Sequence, residues 1–396
     1  MSQSVSSPSS HQDEFWLLAN NASVSLGAHF REIALGLFLT HLNASPKAYA
    51  WYFLMGSIPS LFTTYIYQKI RRRYSSKSVM VFTYVIRLLA AITLWQVSHF
   101  TQAIAVLFVF AASRSLYQIA EAPYLTKTDN GISTGRLISW LRQTESLIDL
   151  IGPLLAGWVL MLCGYRQGFL INAVFYLIGL AFIARLSKIS PTKGEHLTSQ
   201  VRSARRIEMP LFVIWVANFL VWIGNVMSMA YLFHILHKGP LSYGLIVTLW
   251  GGSGIFSGQV LRRLSYTKLS QFMALWFGLL AISWFIISQD IGYALFCVAT
   301  VLIGFSWWMI QDSLTTIVLT SRSGHSAALS QARLQAFGEM GSFLGMLVIV
   351  LLPSRILHIQ TIFQHLALWA LVLAGGLCIY AVIIHKSDHC RIHDTK

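Results

Sequence analysis

The sequence predicts an all-α membrane protein with twelve transmembrane helices, arranged as two matched six-helix bundles. Of the 396 residues, 55% are hydrophobic and 11% are charged, which is too apolar for a water-soluble domain of this length. The apolar residues form runs of about 20, the length that spans a bilayer as a helix. A long polar connection divides these runs into two groups of six.

Each apolar run, taken in chain order, predicts one transmembrane helix. The runs are residues 15–39, 48–69, 79–98, 103–125, 137–162, 168–186, 209–236, 242–261, 269–288, 292–319, 327–352 and 362–385. The first six predict an amino-terminal bundle over 15–186, and the last six a carboxy-terminal bundle over 209–386. Residues 187–208 are the predicted cytoplasmic linker. Residues 1–14 and 387–396 are predicted cytoplasmic tails, the first of them disordered.

The basic residues set the predicted orientation. The chain has 29 Lys and Arg against 14 Asp and Glu, a net charge of +15. Most of the basic residues fall on one side of the membrane when the connections are counted alternately, with dense clusters at 69–77 and 185–206. The positive-inside rule makes that side cytoplasmic, so we expect both termini there and the chain in the inner membrane. Because the charge is an orientation signal, we expect no nucleic-acid partner.

The two halves repeat a common pattern. RRRYSSKS (71–78) follows the second span, and LRRLSYTK (261–268) follows the eighth. Glu121 and Asp312 lie at similar depth in the fourth and tenth spans. Two related six-helix units are typical of secondary transporters, whose substrate site lies between the repeats near the midplane.

The fifth span carries the most specific family motif. IGPLLAG (151–157) is similar to the Gly-Pro-x-x-Gly-Gly signature of the drug-efflux and antiporter branches of the major facilitator superfamily, with Ala156 replacing one glycine. SRSLYQIAEAP (113–123) is similar to the Arg-x-x-Gln-Gly pattern of proton antiporters, with Gln118 one residue late. The chain resembles this superfamily over residues 15–386. The resemblance implies its fold, a cavity lined by helices one, four, seven and ten, and export.

Ionisable residues within the spans are the candidate functional groups. A charge at mid-bilayer costs about 3 kcal/mol or more unless it has a partner or water. Arginine keeps its charge at physiological pH, whereas a carboxylate can bind and release a proton. The predicted proton-coupling residues are Glu32 first, Asp149 second, and Glu121. Their predicted charge partners are Arg31, Arg87, Arg114 and Arg142.

Glu32 has two interpretations. As a proton carrier it pairs with Arg114, and its protonation competes with cargo, because a ligand shifts a conformational balance only through its differential affinity for the two states. As a structural ion pair it binds Arg31 or Arg87. The sequence leaves both open.

The fifth helix also carries a predicted packing surface. Its members are Gly152, Pro153, Ala156 and Gly157, which let the helix bend and let a helix of the other half approach closely. Tight packing without a moving role is the alternative. Arg142 and Glu145, three residues apart, are expected to pair on this helix.

Polar side chains on inner helix faces predict the substrate cavity. Helix seven places Asn218, Trp222 and Asn225 on one face, which suits an amphiphilic molecule with hydrogen-bonding groups. Asparagines also bond neighbouring helices, and the sequence does not decide between these roles. The full predicted set is Asn21, Ser25, Gln118, Asn218, Trp222, Asn225 and Gln311.

The expected function is export of a small molecule by proton antiport. Protonation of the acids leaves the arginines as a positive field, and the resemblance extends to siderophore and macrolide exporters, so we expect a carboxylate- or hydroxamate-bearing siderophore as cargo. Multidrug efflux and proton-coupled uptake of a siderophore or nutrient are the alternatives. An enzyme is disfavoured because the sequence has neither a nucleophile elbow nor His-Glu-x-x-His. We expect no cofactor and no metal, and a monomer whose partners are cargo, protons and lipid.

Overall fold

The computed structural model describes most of the chain. The described residues are 8–42, 44–71, 74–126, 131–187, 209–261, 263–264, 266–290, 292–320, 325–353 and 358–393. The predicted linker from residue 188 onward and the loop arginines Arg72, Arg73 and Arg262 lie outside them. The predicted boundary between the two bundles therefore stays a prediction.

Twelve α-helices and no β-strand occur among the described residues. The helices are α1 Pro8–His41, α2 Pro46–Arg71, α3 Ser76–Gln96, α4 Phe100–Thr126, α5 Gly131–Cys163, α6 Tyr165–Arg185, α7 Met209–Ala230, α8 Pro240–Leu261, α9 Tyr266–Ile287, α10 Tyr293–Thr320, α11 His325–Leu351 and α12 Ile359–His393. A π-helical segment, Tyr231–Ile235, extends α7. Each helix overlaps one predicted span, so the all-α class and the helix count are confirmed.

Nine helices within the described part of the chain are long and apolar enough to cross a membrane. α1 is not among them, because His29, Arg31 and Glu32 lower its mean hydropathy. It is nevertheless 34 residues long, about 50 Å at 1.5 Å per residue, which exceeds the hydrocarbon core of roughly 30 Å. The polar residues of α1 are therefore carried by a helix that is long enough to span.

Residues 8–14, which were predicted to be part of a disordered tail, are helical, because α1 begins at Pro8. Asp13 is buried, and its carboxylate accepts hydrogen bonds from the backbone N–H of Ser187, at 2.8 Å, and from the Ser187 hydroxyl. The Arg185 guanidinium lies 4.6 Å from the centroid of the Trp16 ring. These contacts with the end of α6 hold the first turns of α1 in the helix. At the other terminus, α12 also continues past its predicted end, to His393.

The contacts between helices divide the chain into two units. Unit 1 contains α1 to α6 together with residues 238–248, and unit 2 contains α7, the rest of α8, and α9 to α12. In unit 1, α1 packs on α5 and α6, and α3 packs on α4 and α6. In unit 2, α7 packs on α11, and α9 packs on α10 and α12. The pairs α1–α5, α3–α4 and α3–α6 of unit 1 correspond to the pairs α7–α11, α9–α10 and α9–α12 of unit 2. This correspondence agrees with the repeat in the sequence.

Two glycines of α11 allow the close packing of α7 within unit 2. A Cβ atom at Gly341 would collide with the carbonyl oxygen of Trp215, and one at Gly345 would lie 2.5 Å from the carbonyl oxygen of Phe219. Both obstacles are backbone atoms of α7, which cannot rotate away as a side chain can. The two helices are therefore close enough that any side chain at these positions must push them apart.

Gly341→Ala is expected to lower the midpoint of thermal unfolding in detergent, because overpacking costs about 1–3 kcal/mol. Gly278→Ala in α9 is the matched control, since a Cβ there has nothing within 4 Å. The control should be neutral or stabilising by up to about 1 kcal/mol, the helix-propensity difference between glycine and alanine. Equal midpoints for the two variants would contradict the packing described.

Candidate functional site

One turn of α1 and a neighbouring turn of α5 bring charged groups together in unit 1. His29 Nε2 lies 3.1 Å from Asp149 Oδ1, and His29 Nδ1 lies 4.0 Å from Glu32 Oε2. Arg31 Nη2 lies 3.5 Å from Glu32 Oε1. The imidazole thus stands between two carboxylates, one of which also contacts a guanidinium. We call His29, Arg31, Glu32 and Asp149 the α1–α5 cluster.

The members of the α1–α5 cluster differ in exposure. The side chain of Asp149 is 54% exposed and that of Glu32 is 37% exposed, whereas that of His29 is 11% exposed. A Cβ atom at Gly152 would lie 2.6 Å from His29 Cδ2. The first glycine of the fifth-helix motif therefore provides the space in which the imidazole sits.

Arg31 is held on its other side by aromatic groups. Its Nη1 donates to the Tyr176 hydroxyl at 3.3 Å, and its guanidinium lies 4.3 Å from the centroid of the Phe110 ring. Glu32 therefore pairs with Arg31, the partner of the structural interpretation. Among the described residues no ion pair joins Glu32 to Arg114, which lies exposed on α4. The expected Glu32–Arg114 pair is not formed because the adjacent guanidinium is nearer and already fixed.

Glu121 belongs to a separate hydrogen-bonded chain. The Tyr84 hydroxyl donates to Asn20 Oδ1 at 2.7 Å, Asn20 Nδ2 donates to the Tyr117 hydroxyl at 2.8 Å, and that hydroxyl donates to Glu121 Oε1 at 2.9 Å. Both tyrosine hydroxyls and one N–H of Asn20 donate within the chain, and the carboxylate is the terminal acceptor. Glu121 is thus fixed by packed side chains of α1, α3 and α4.

Arg87 is the cation of this second network. It is 2% exposed, and Nη2 donates to the carbonyl oxygen of Ser113 at 3.3 Å. Its guanidinium lies 4.8 Å from the ring centroid of Tyr117 and 5.3 Å from that of Tyr84. A cation over aromatic faces is stabilised by the ring quadrupoles, so Arg87 is accommodated without direct contact with Glu32.

The other predicted site residues of unit 1 are Asn21, Arg142, Ser25 and Gln118, which have different surroundings. Asn21 Nδ2 donates to Glu145 Oε1 at 3.3 Å. The side chain of Arg142, which was expected to pair with Glu145, lies outside the described part of the chain. Ser25 is partly buried on α1, and Gln118 is exposed on α4.

The rest of the fifth-helix motif contacts the first turns of α8, which belong to unit 1. A Cβ at Gly157 would lie 2.6 Å from the carbonyl oxygen of Pro240, and one at Gly244 would collide with the carbonyl oxygen of Pro153. Ala156 is fully buried. Small residues on both helices thus permit backbone-to-backbone contact.

In unit 2, Asn218 takes the helix-bonding role rather than a place in a cavity. It is buried, donates through Nδ2 to the carbonyl oxygen of Ile214 at 2.9 Å, and accepts from the Ser342 hydroxyl of α11 at 3.1 Å. The reason is the close approach of α11, which covers this face of α7. Trp222, Asn225 and Gln311 are partly exposed.

His29 is the functional candidate that sequence reasoning missed. Its contact with Asp149 depends on how α1 packs on α5, which no motif predicts. The sequence feature that could have identified His29 is its position three residues before Glu32, on the same face of the helix.

Gly152→Ala is expected to displace His29 and weaken its contact with Asp149. In protein labelled with ¹⁵N-histidine, the His29 Nε2 resonance, assigned with His29→Gln, should move toward its position in Asp149→Asn. Gly56→Ala in α2 is the control, because a Cβ there meets nothing within 4 Å. A Gly152→Ala spectrum matching that of the wild type would show that the glycine does not position the imidazole.

Comparison with known proteins identifies the class. The fold is that of a multi-pass membrane transporter built from two six-helix repeats. Residues 26–346 match the Major Facilitator Superfamily, and the chain belongs to that superfamily. Its members carry small-molecule substrates across membranes, and the chain is a transporter of this type. No curated protein sequence matches the chain.

Solved transporter structures share the fold at low sequence identity. The nucleoside transporter NupG is 14% identical with a TM-score of 0.70, covering 92% of this chain and 98% of its own. A bacterial homologue of the iron transporter ferroportin, in an inward-facing state, is 15% identical with a TM-score of 0.72, covering 96% and 99%. A POT family transporter in complex with a thioalcohol-conjugated peptide is 10% identical with a TM-score of 0.74, covering 94% and 96%. Because these proteins have different substrates, the likeness establishes fold and not cargo.

Proposed function

We propose that the chain exports a small molecule across the inner membrane by proton antiport, with the α1–α5 cluster as its proton-loading site. The observation that carries the proposal is the position of His29, 3.1 Å from Asp149 and 4.0 Å from Glu32. Histidine is the side chain whose charge changes most readily near neutral pH. A proton added between two partly exposed carboxylates has an acceptor on either side.

The charge of the cluster supplies the coupling. Two carboxylates, the Arg31 guanidinium and a neutral imidazole sum to one negative charge, and one added proton makes the cluster neutral. A neutral cluster is cheaper to enclose in a low-dielectric interior than a charged one. A cargo that brings a positive or hydrogen-donating group to the empty cluster competes with the proton, which is the condition for antiport.

The same charge count favours one of the two predicted cargo classes. A cluster that is net negative without its proton repels a carboxylate but accepts a cation. A hydroxamate is neutral when it binds no metal, so a net negative cluster does not repel it. We therefore propose a hydroxamate cargo rather than a carboxylate one.

Two sequence features support the direction and orientation. The segment IGPLLAG (151–157) resembles the motif of exporters, and its Gly152 makes room for His29, which links the motif to the proposed proton site. The distribution of basic residues supports cytoplasmic termini. We propose a monomer as the working unit.

Asp149→Asn is expected to abolish proton-driven transport while leaving cargo exchange intact. In proteoliposomes with the cytoplasmic face outward and an acidic lumen, the wild type should accumulate the hydroxamate desferrioxamine B, and the variant should lose accumulation by at least about tenfold. Counterflow of labelled against unlabelled compound at equal pH should persist. Glu32→Gln should behave in the same way.

Glu145→Gln is the matched control, because Glu145 lies one turn before Asp149 on α5 and contacts an asparagine rather than the imidazole. It should retain accumulation within about twofold of the wild type. Proton-driven accumulation that survives in Asp149→Asn would move the proton site elsewhere. Wild-type accumulation that requires an alkaline lumen would contradict export.

A further inference from the structure

Arg31 of the α1–α5 cluster makes a loose ion pair. Its Nη2 lies 3.5 Å from Glu32 Oε1, whereas a charge-assisted bond between a guanidinium and a carboxylate is about 2.7–2.9 Å long. Arg31 is buried, so little water reaches its donors. It makes no other ion pair within the described part of the chain. A group other than Glu32 therefore determines where this guanidinium lies.

Two aromatic residues hold the Arg31 guanidinium on its other side. Nη1 donates to the Tyr176 hydroxyl at 3.3 Å, and the guanidinium carbon lies 4.3 Å from the centroid of the Phe110 ring. The contact with Glu32 uses Nη2, so the two bonds restrain the guanidinium through different nitrogens. Tyr176 belongs to α6 and Phe110 to α4. Two helices other than α1 thus restrain a side chain of α1.

Tyr176 cannot follow the guanidinium toward Glu32, because packed rings hold it in place. It is 1% exposed, and its ring lies edge to face with Phe110 at 5.5 Å and with Tyr84 at 5.8 Å between centroids. Three residues later on α6, a Cβ at Gly179 would lie 2.6 Å from Tyr84 Cε1. The glycine therefore admits the ring on which Tyr176 packs, and the hydroxyl is a fixed acceptor.

The other groups around the Arg31–Glu32 pair do not replace this restraint. The charged and titratable side chains on the surrounding helices are His29 on α1, Tyr52 on α2, Arg114 on α4, Asp149 on α5, Tyr176 on α6 and Tyr243 on α8. Tyrosine is neutral near pH 7, Arg114 is exposed, and Asp149 contacts the imidazole. Arg31 is thus the one permanent cation that contacts Glu32 among the described residues.

A cation bonded closely to a carboxylate favours its charged form and so opposes protonation. We propose that Tyr176 is a positioning residue: its fixed hydroxyl draws Arg31 back from Glu32 and so keeps the carboxylate able to take up a proton. Phe110 acts in the same way through its ring face, which attracts the guanidinium. The use of that proton in transport rests on the proposed function.

A pH titration of His29 in the purified full-length protein tests this role without any cargo. In protein labelled with ¹⁵N-histidine, the His29 resonance follows the charge of the two carboxylates beside it. We call the pH at the middle of its shift the loading midpoint. Tyr176→Phe keeps the ring and removes the hydroxyl, so Arg31 should pair closely with Glu32. The loading midpoint should then move to lower pH by about half a unit or more.

Tyr84→Phe is the matched control, because it removes a buried tyrosine hydroxyl that donates to Asn20 and not to a member of the α1–α5 cluster. It should leave the loading midpoint unchanged even where its unfolding midpoint falls as far as that of Tyr176→Phe. A purely structural role of Tyr176 predicts the same loading midpoint in both variants. That result, or a move to higher pH in Tyr176→Phe, would overturn the proposal.

Two further variants make the test independent of one substitution. Phe110→Leu keeps an apolar side chain and removes the ring face, so it should move the loading midpoint in the same direction by a smaller amount. In Arg31→Gln no guanidinium remains to be drawn back, so adding Tyr176→Phe should leave the loading midpoint of Arg31→Gln unchanged. A further shift in the double variant would show that Tyr176 acts by another route and would contradict the proposal.

Transport distinguishes the positioning of Arg31 from the proposed function. In proteoliposomes, the pH dependence of desferrioxamine B accumulation should shift in Tyr176→Phe together with the loading midpoint. A shifted His29 titration with unshifted transport supports the positioning role and counts against the proposed function alone. An unshifted His29 titration overturns the positioning role, and the comparison of Asp149→Asn with Glu145→Gln then decides the proposed function separately.

Discussion

Charges inside a lipid-embedded helix bundle must find their partners within the protein, and unit 1 is organised by that constraint. Arg31 is fixed between Glu32, the Tyr176 hydroxyl and the Phe110 ring. Arg87 is surrounded by tyrosine rings and a carbonyl oxygen. Because the contacts of Arg31 with Tyr176 and Phe110, and those of Arg87 with Tyr117 and Ser113, join different helices, they also fix how α1, α3, α4 and α6 pack.

The two networks meet this constraint in different ways, and the difference suggests their roles. The chain that ends at Glu121 is a series of hydrogen bonds between packed side chains. The α1–α5 cluster leaves Asp149 and Glu32 partly exposed and places an imidazole between them. A proton can be exchanged at the α1–α5 cluster without breaking a packed hydrogen-bond chain.

The fold was predictable from the sequence because lipid imposes a simple rule: apolar runs long enough to span become helices. Gly152 was predicted to let a helix of the other half approach closely, but the side chains it accommodates are His29 and Leu26 of α1, in the same half. The role of His29 was not predictable, because a contact between α1 and α5 depends on the rotation of both helices about their axes. The same reason explains why Asn218, which looked like a cavity residue, instead bonds α11.

The central claim is that a proton is held between His29, Asp149 and Glu32. Infrared difference spectroscopy of the protein reconstituted in lipid, recorded between mildly acidic and mildly alkaline pH, measures it most directly. The account predicts a protonated-carboxyl or imidazolium band in the wild type that is lost in Asp149→Asn and unchanged in Glu145→Gln. A difference spectrum that is the same in Asp149→Asn as in the wild type would contradict the account.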